Sequence, residues 1–409
     1  MRILYLYQYF VPVQGHGMTR AYEFARRLIA MGHDVKMVTS AGYLPEAYKS
    51  LTETTEIEIS GIPCIVIPVP YSNYMSFPQR IRSFIRFALI ASWRCMRHPA
   101  DIVYASSAPL TIAIPAIAAS RWQRIPFVFE VRDLWPELPI AIGALRNPLL
   151  KRAARALEWL AYHAARHVVA LSPGQAEGVI KRGIDTNRVT VIPNSADVDL
   201  FDVPDGSGAP VREQLGLTPD QPLIVYTGTF GLMNNISYLV EIAVAMRSIA
   251  PDMRFLLIGA GGEFEKVMQT ARDHGVLDDT VFIWEPRPKT EIPAILSAAT
   301  VATSLFLPVK EMWNNSANKF FDALAAGRPI AINYCGWQAE ILEATGAGIV
   351  IPDQDATQAA HDLAAFVHDA ERVQAAREAA RELAYSRFHR DTMTAQLEQL
   401  LRRVVTEGH

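Results

Sequence analysis

The residues best placed to do chemistry lie around Lys319. They form the string Asn314-Asn315-Ser316-Ala317-Asn318-Lys319-Phe320-Phe321-Asp322, which runs on to Gly327-Arg328-Pro329. Asn315 or Ser316 can cap a helix, and Gly327 with Pro329 ends it. Lys319 then falls in the first turn, where the helix dipole and free N–H groups favour an anion. A cation there works against the helix end, and an anionic ligand would account for it. Asp322 lies one turn further on the same face. One ligand can therefore meet Lys319 at a phosphate and Asp322 at a sugar hydroxyl. The plain alternative is an ordinary capped helix.

Four further strings bear on chemistry. Tyr226-Thr227-Gly228-Thr229-Phe230-Gly231 reads as strand, glycine loop and helix start, an anion-binding geometry. Gly15-His16-Gly17 follows the first strand in the same way, but lacks the third glycine of a dinucleotide fingerprint and serves equally as a turn. Arg20, one turn on, can add charge, though a surface arginine is the commoner reading. Glu130-Val131-Arg132-Asp133-Leu134-Trp135-Pro136-Glu137 places four charges at the end of an apolar strand. That is costly unless the strand end opens into a site, with Arg132 for an anion and Asp133 for a hydroxyl proton, or unless the charges form a structural Arg–Glu pair. Asp197-Val198-Asp199 resembles a metal-binding pair of aspartates but reads as a turn after a strand, and no metal is expected.

Tyr74 to Arg97 is a basic, aromatic, amphipathic stretch. Arg80, Arg82, Arg86, Arg94 and Arg97 interleave with apolar residues that include Phe84, Leu89 and Trp93, and there is no acid. Such a helix suits an anionic membrane surface, and packing on its own domain's sheet is the competing reading.

These residues need elements to hold them, and the chain supplies strand–helix alternation in two series. In the first half, apolar runs such as Ile3 to Tyr7, Val35 to Thr39, Ile102 to Ala105 and Phe127 to Val131 alternate with amphipathic segments such as Thr19 to Met31 and Leu149 to His167. Phe201 to Pro210, rich in Pro, Gly and Asp, reads as a linker. A second series follows from Leu223 to Ile351, then a helix over Asp391 to Val405. Thr357 to Ala384 reads as a solvated helix pair. The expectation is two parallel-sheet domains, 1–200 and 201–385, with residues 386–409 packing back on the first. A ligand would bind between facing strand ends.

Composition fits this and narrows the function. The chain of 409 residues is 50% hydrophobic and 20% charged, as globular proteins are, and its formal net charge of −3 argues against coating nucleic acid. Cys64, Cys95 and Cys335 fit neither a disulfide framework nor a zinc site, which points to a reducing compartment. The start, Met1-Arg2-Ile3-Leu4-Tyr5, reads as a strand and not as a signal peptide. No apolar run reaches the length of a membrane span. A cytoplasmic protein is expected, with contact at the inner face of the plasma membrane possible through the basic helix.

Taken together, the chain resembles retaining glycosyltransferase family 4, whose members have the two-domain GT-B fold, and looks closest to its bacterial WbuB-like branch. The resemblance covers essentially the whole chain. It rests most on Glu130 to Glu137 and the Lys319 helix, with looser support from Gly15-His16-Gly17, Gly32-His33-Asp34-Val35, Ile192-Pro193-Asn194, Phe201 and Gly228. It implies two Rossmann-like domains facing across a cleft and a nucleotide-sugar donor, UDP-linked by family habit. Lys319 and the backbone near Thr229 and Phe230 would hold the diphosphate, with Asn315, Ser316 and Asn318 beside them. Asp322 would bind the ribose, the backbone from Trp284 to Pro286 would meet the base, and Gly15 and Gly17 would approach the donor from the first domain. The chain departs from the family at Asn314, where a sugar-contacting Glu is expected, and at Thr229 and Asn234, where an Arg and a Lys are common. No His stands near Arg132-Asp133.

The resemblance further implies retention of configuration, with the leaving phosphate itself taking the acceptor proton. Lys319, the helix amides and the Gly228 loop can stabilise that phosphate without a metal. Asp133 is the candidate for positioning the acceptor and Arg132 for local charge. No cofactor beyond the donor is expected. The acceptor would be a glycan or lipid-linked saccharide of bacterial surface polysaccharide synthesis, the sugar an N-acetylated amino sugar, and nucleic acid is not a partner. The competing readings are a sugar-nucleotide epimerase and a non-catalytic nucleotide-sugar-binding protein. A nicotinamide oxidoreductase is disfavoured by the incomplete glycine fingerprint and by the absence of an acid after Val38-Thr39-Ser40.

Overall fold

Alternation along each strand decides the architecture of this computed structural model, which describes residues 1–12, 19–72, 75–141, 143, 145–204 and 206–407. In β1 (Arg2–Leu6), Ile3 and Tyr5 point to one side of the sheet, while Leu4 and Leu6 point to the other. A strand buried on both faces must be covered on both, which is the α/β solution.

The chain divides into two units, Met1–Pro193 with Asp391–His409, and Asn194–Arg390. The Pro- and Gly-rich stretch 201–210 thus lies inside the second unit. There the helix Ala209–Gln214 is tied down as Arg212, in its last turn, donates to the carbonyl of Ala298 at 2.5 Å.

The first unit holds an eight-stranded sheet in the order β3-β4-β2-β1-β5-β6-β7-β8. Its strands are β1, β2 (Asp34–Ser40), β3 (Thr55–Ile59), β4 (Ile62–Ile67), β5 (Ile102–Ser106), β6 (Phe127–Val131), β7 (His167–Ala170) and β8 (Val189–Val191). All pairs are parallel except the edge hairpin β3–β4. The helices Arg20–Ala30 and Arg390–Thr406 cover one face, with Phe24, Leu28, Leu397 and Leu401 in the core. The helices Phe77–Arg97, Ala113–Gln123 and Pro148–Ala164 cover the other, with Phe87, Ala91, Ala116 and Tyr162 inward.

The second unit holds six parallel strands in the order β11-β10-β9-β12-β13-β14. They are β9 (Leu223–Thr227), β10 (Arg254–Ile258), β11 (Val281–Trp284), β12 (Val301–Ser304), β13 (Ile330–Ile332) and β14 (Gly348–Val350). The helices Ala356–Val367 and Ala370–Ser386 are not a solvated pair. Their Ala359, Leu363, Val373 and Ala376 are buried in this unit's core. The strand order reverses beside β9 and β12. The carboxyl ends of those strands are where an open α/β sheet binds ligands.

Candidate functional site

The second unit brings Gly228, Thr229, Asn234, Asn315, Lys319 and Asp322 of the predicted donor site to the loops and helix that follow β9 and β12, while Trp284 ends the edge strand β11. The helix Asn318–Ala325 begins with Ala317 at its N-cap, and no side chain caps it. The Asn315 carboxamide oxygen instead accepts from the Ala317 N–H at 3.0 Å, and the Ser316 hydroxyl accepts from the Asn194 N–H at 3.0 Å. The capping expected of Asn315 or Ser316 is therefore spent on shaping the entry loop. That loop is also pinned where the Trp337 indole N–H donates to the Asn315 carbonyl at 2.7 Å. Asn314 closes the short helix Lys310–Asn314 just before it.

Lys319 is half-buried in the first turn. Its Nζ lies 4.9 Å from the ring centre of Tyr226 and 5.3 Å from that of Phe306. In the orientation its neighbours require, the Asn234 carboxamide accepts from Lys319 Nζ at 3.1 Å and donates to the Thr229 carbonyl at 2.9 Å. The Tyr226 hydroxyl also donates to the Thr229 carbonyl, at 2.9 Å. Burial pushes the Lys319 ammonium down to about 8, with the Asp322 charge pulling the other way. Asp322 itself accepts from Lys289 at 2.5 Å, and Lys289 lies over the Phe201 ring. Among the described residues Lys319 has no ion pair; its hydrogen-bond partner is the neutral amide of Asn234.

Arg20 makes the contrast. It too opens a helix, where a cation is disfavoured, but it is buried and paired with buried Glu130 at 2.8 Å. It also donates to the carbonyl of Ile192 at 2.8 Å. Arg20 is thus not a surface residue. Its helix start is neutralised from within, whereas Lys319 has no carboxylate paired to it among the described residues.

The Gly228 loop differs from expectation in detail. The N–H of Gly228 donates to the Ile258 carbonyl and that of Phe230 to the Ala260 carbonyl, each at 2.9 Å, and Phe230 is wholly buried. Neither amide is offered to a ligand, so Phe230 serves the core. The surface of the loop belongs to Thr229, Gly228 and Asn234. Gly228 has φ +154°, and a Cβ there would lie 3.1 Å from Lys319 Cε.

Two glycines outside the predicted set make this loop possible. A Cβ on Gly259 would fall 1.8 Å from the Gly228 carbonyl oxygen, and one on Gly261 would fall 2.3 Å from that of Phe230. The sequence does carry their signal, since Ile258-Gly259-Ala260-Gly261-Gly262 is a second strand–glycine loop–helix string. Gly259→Ala is expected to displace the Gly228 loop and abolish nucleotide-induced thermal stabilisation. The unliganded melting temperature would fall by several degrees, read in the same scan. Lys289, the partner of Asp322, also lies outside the predicted set, and no local pattern marks it. Trp284 ends β11, its carbonyl accepting from the Gly259 N–H at 3.1 Å, with Arg287 over its ring.

In the first unit Glu130 resolves as structural. Its carboxylate accepts from Arg20, Tyr104 and Ser106. Burial alone would raise its carboxyl, but Arg20 and Arg132, then the two hydroxyls, outweigh burial and hold it below the usual range. Arg132 is buried, its guanidinium over the Tyr7 ring at 5.2 Å. Asp133 follows it, reachable by solvent but surrounded by enough protein that burial raises its carboxyl, against the pull of Arg132. Asp197 is buried and pairs with Arg390 at 3.5 Å, so the two aspartates of the 197–199 string are not a joint site. Arg80 turns back to donate to the Met75 carbonyl at 3.0 Å, while Arg82, Arg86 and Trp93 stay exposed. Gly15 and Gly17 lie outside the described residues.

Two doubly wound sheets, the second bearing a glycine loop against a basic helix start, define a GT-B protein. Family models agree: a glycosyl transferase 4-like domain matches residues 17–195, and the glycosyl transferases group 1 domain matches 209–383. Each half of the chain therefore matches a glycosyltransferase domain model, the two together spanning most of its length. It is 21% identical over 271 residues to the Escherichia coli protein named for colanic acid biosynthesis glycosyl transfer, WcaI; the match covers 62% of this chain and 64% of that relative's length. Solved structures share the fold. Anabaena HepE in complex with UDP and glucose superposes with TM-score 0.72 at 19% identity, over 98% of this chain and all of that one. Sucrose-phosphate synthase from Thermosynechococcus elongatus superposes with TM-score 0.76 at 17% identity, over 99% of each.

Proposed function

We propose that the protein is a retaining, metal-independent hexosyltransferase of the WbuB-like branch. It would move a sugar from a UDP-sugar to a glycan or lipid-linked acceptor of bacterial surface polysaccharide synthesis, at the cytoplasmic side of the membrane. The observation that carries the reading is the uncompensated charge of Lys319 at an uncapped helix start against the Gly228 loop. The UDP in the HepE complex supports the choice of nucleotide. The colanic acid name of the Escherichia coli relative supports the polysaccharide role. An N-acetylated amino sugar is favoured by the branch resemblance.

In this reading the sugar C1–phosphate oxygen bond breaks while C1 bonds the acceptor oxygen on the same face. The acceptor proton passes to the departing phosphate oxygen. Lys319 and the first-turn amides of its helix meet the charge that builds on the diphosphate, and such preorganised charge does most to lower the barrier in a site of this kind. Asn234 holds Lys319 in place, and Asp322, held by Lys289, faces the ribose. Asp133, with its raised carboxyl, positions the acceptor hydroxyl beside Arg132.

A melting scan with UDP, GDP and ADP tests the donor half. A UDP-selective rise supports it, and no rise with any nucleotide at millimolar concentration overturns it in favour of a protein without a nucleotide-sugar site. Asp133→Asn tests the acceptor half. It is expected to keep the UDP response and lose about 10²-fold in sugar transfer, the usual cost of a misplaced reactant. Transfer at the wild-type rate would remove Asp133 from the reaction.

A further inference from the structure

The helices Phe77–Arg97, Ala113–Gln123 and Pro148–Ala164 form one layer of the first unit, and their outer surface is not that of an ordinary solvated layer. Their inner faces are spent on the sheet through residues such as Phe87, Ala91, Ala116 and Tyr162. Yet the first helix also exposes Ile85, Leu89 and Trp93, at 50%, 65% and 47%. The second exposes Ile114 and Trp122, the latter at 71%. The third exposes Leu149, Leu150, Trp159 and Leu160. These nine are three quarters of the twelve large hydrophobic side chains exposed among the described residues. Such concentration marks a surface that meets something apolar.

The charge on the layer is as one-sided as its hydrophobicity. The three helices carry nine Arg and Lys residues and one acid, in a chain whose acids outnumber its bases by 42 to 39. That acid, Glu158, is buried and pairs with Arg182 at 3.2 Å. Arg94 and Arg97 lie over the Trp93 ring, 5.0 and 4.0 Å from its centre. A groove of ≈ 640 Å³ runs between the first and third helices, with Ile81, Ile85, Leu89 and Leu150 along it and Arg82 and Arg86 among its lining.

We infer that this layer docks the protein on an anionic phospholipid bilayer. Aliphatic side chains reach the acyl boundary, the three tryptophans suit the interface, and the arginines meet lipid phosphates. A second copy of the same face is disfavoured, because it would oppose basic residues with no exposed acid between them. The inference deepens the acceptor half of the proposed function, since a docked enzyme meets a lipid-linked acceptor at the membrane. It does not depend on the donor site.

The test is co-sedimentation of the full chain with vesicles of phosphatidylcholine containing phosphatidylglycerol, and of phosphatidylcholine alone. Retention is expected on the anionic vesicles at low salt, with little on the neutral ones. Arg82→Glu/Arg86→Glu is expected to weaken it at least tenfold, since each basic residue at an anionic surface contributes about fivefold. Leu89→Gln/Trp93→Gln is expected to weaken low-salt retention on the anionic vesicles at least tenfold too, because the apolar side chains supply the part of the binding that charge does not. Unchanged melting temperatures would show that both variants fold. An unchanged UDP response would keep this result separate from the donor-site test. The inference is overturned if anionic vesicles fail to retain the wild type at low salt, or if both variants bind as it does. It is equally overturned if the wild type is a dimer in solution that Leu89→Gln/Trp93→Gln splits.

Discussion

Lys319→Ala should abolish the thermal response to UDP. A ligand at a hundred times its dissociation constant stabilises the folded state by ~2.7 kcal/mol. For a domain of this size that is a rise of roughly 5–10 °C. The variant removes the cation that has no carboxylate of its own, so the rise should fall below about 2 °C, and transfer should fall about 10²–10³-fold. Unliganded stability should hold or improve, because a half-buried cation at a helix start is no longer carried. Acidity provides a second readout. Lys319 is held near 8, so it is charged below that pH and loses its proton above it. A diphosphate selects the charged form, so UDP affinity should hold from about pH 7, above the terminal phosphate's own titration, to pH 8, and fall up to tenfold by pH 9. Lys319→Arg, charged throughout, should bind with no such fall. A pH-independent affinity in the wild type would take Lys319 out of the diphosphate site.

Much of this site is legible in the sequence because glycine, proline and charge at helix starts have local causes. The Lys319 helix shows in its Gly327 and Pro329 stop, and the Gly228 loop in its strand–glycine pattern. What stays hidden is set by partners distant in the chain. Whether Glu130 does chemistry or pairs depends on Arg20, 110 positions earlier. Asp322 looks free until Lys289 is brought to it across the turn that follows β11. The amides of Gly228 and Phe230 look available until β10 supplies the carbonyls of Ile258 and Ala260. The edge strand β3 escapes a sequence reading because its solvent face is Glu56 and Glu58, and only Ile57 and Ile59, with the polar Thr55 beside them, mark its inner side. Its evidence is pairing with β4 in an antiparallel hairpin. The basic stripe of Phe77–Arg97 is legible as a pattern. That its outward side is apolar, while Arg80 is turned away to Met75, requires the packed helix.

Arg20→Met should be the most damaging single change to the first unit. It strands the Glu130 carboxylate, wholly buried, with its closest cation gone, and leaves the carbonyls of Ile192 and Pro193 without their donor. Removing one partner of a buried pair costs about 3–5 kcal/mol, equivalent to a fall of roughly 6–20 °C in melting temperature. Adding Glu130→Gln to Arg20→Met should recover part of the loss, because a neutral amide costs less to bury than an unpaired carboxylate. The pair also sets the acid limb of stability. The folded carboxyl of Glu130 titrates below its usual value of 4.5, so its contribution is complete above that pH and is lost as pH falls toward the folded value. In the wild type, melting temperature should therefore drop more steeply below pH 4.5 than in the double variant. If instead Arg20→Met melts within about 2 °C of the wild type at neutral pH, the pair is not what holds the helix Arg20–Ala30 to the ends of β6 and β8. Arg132, which also faces Glu130, would then be the cation that compensates it.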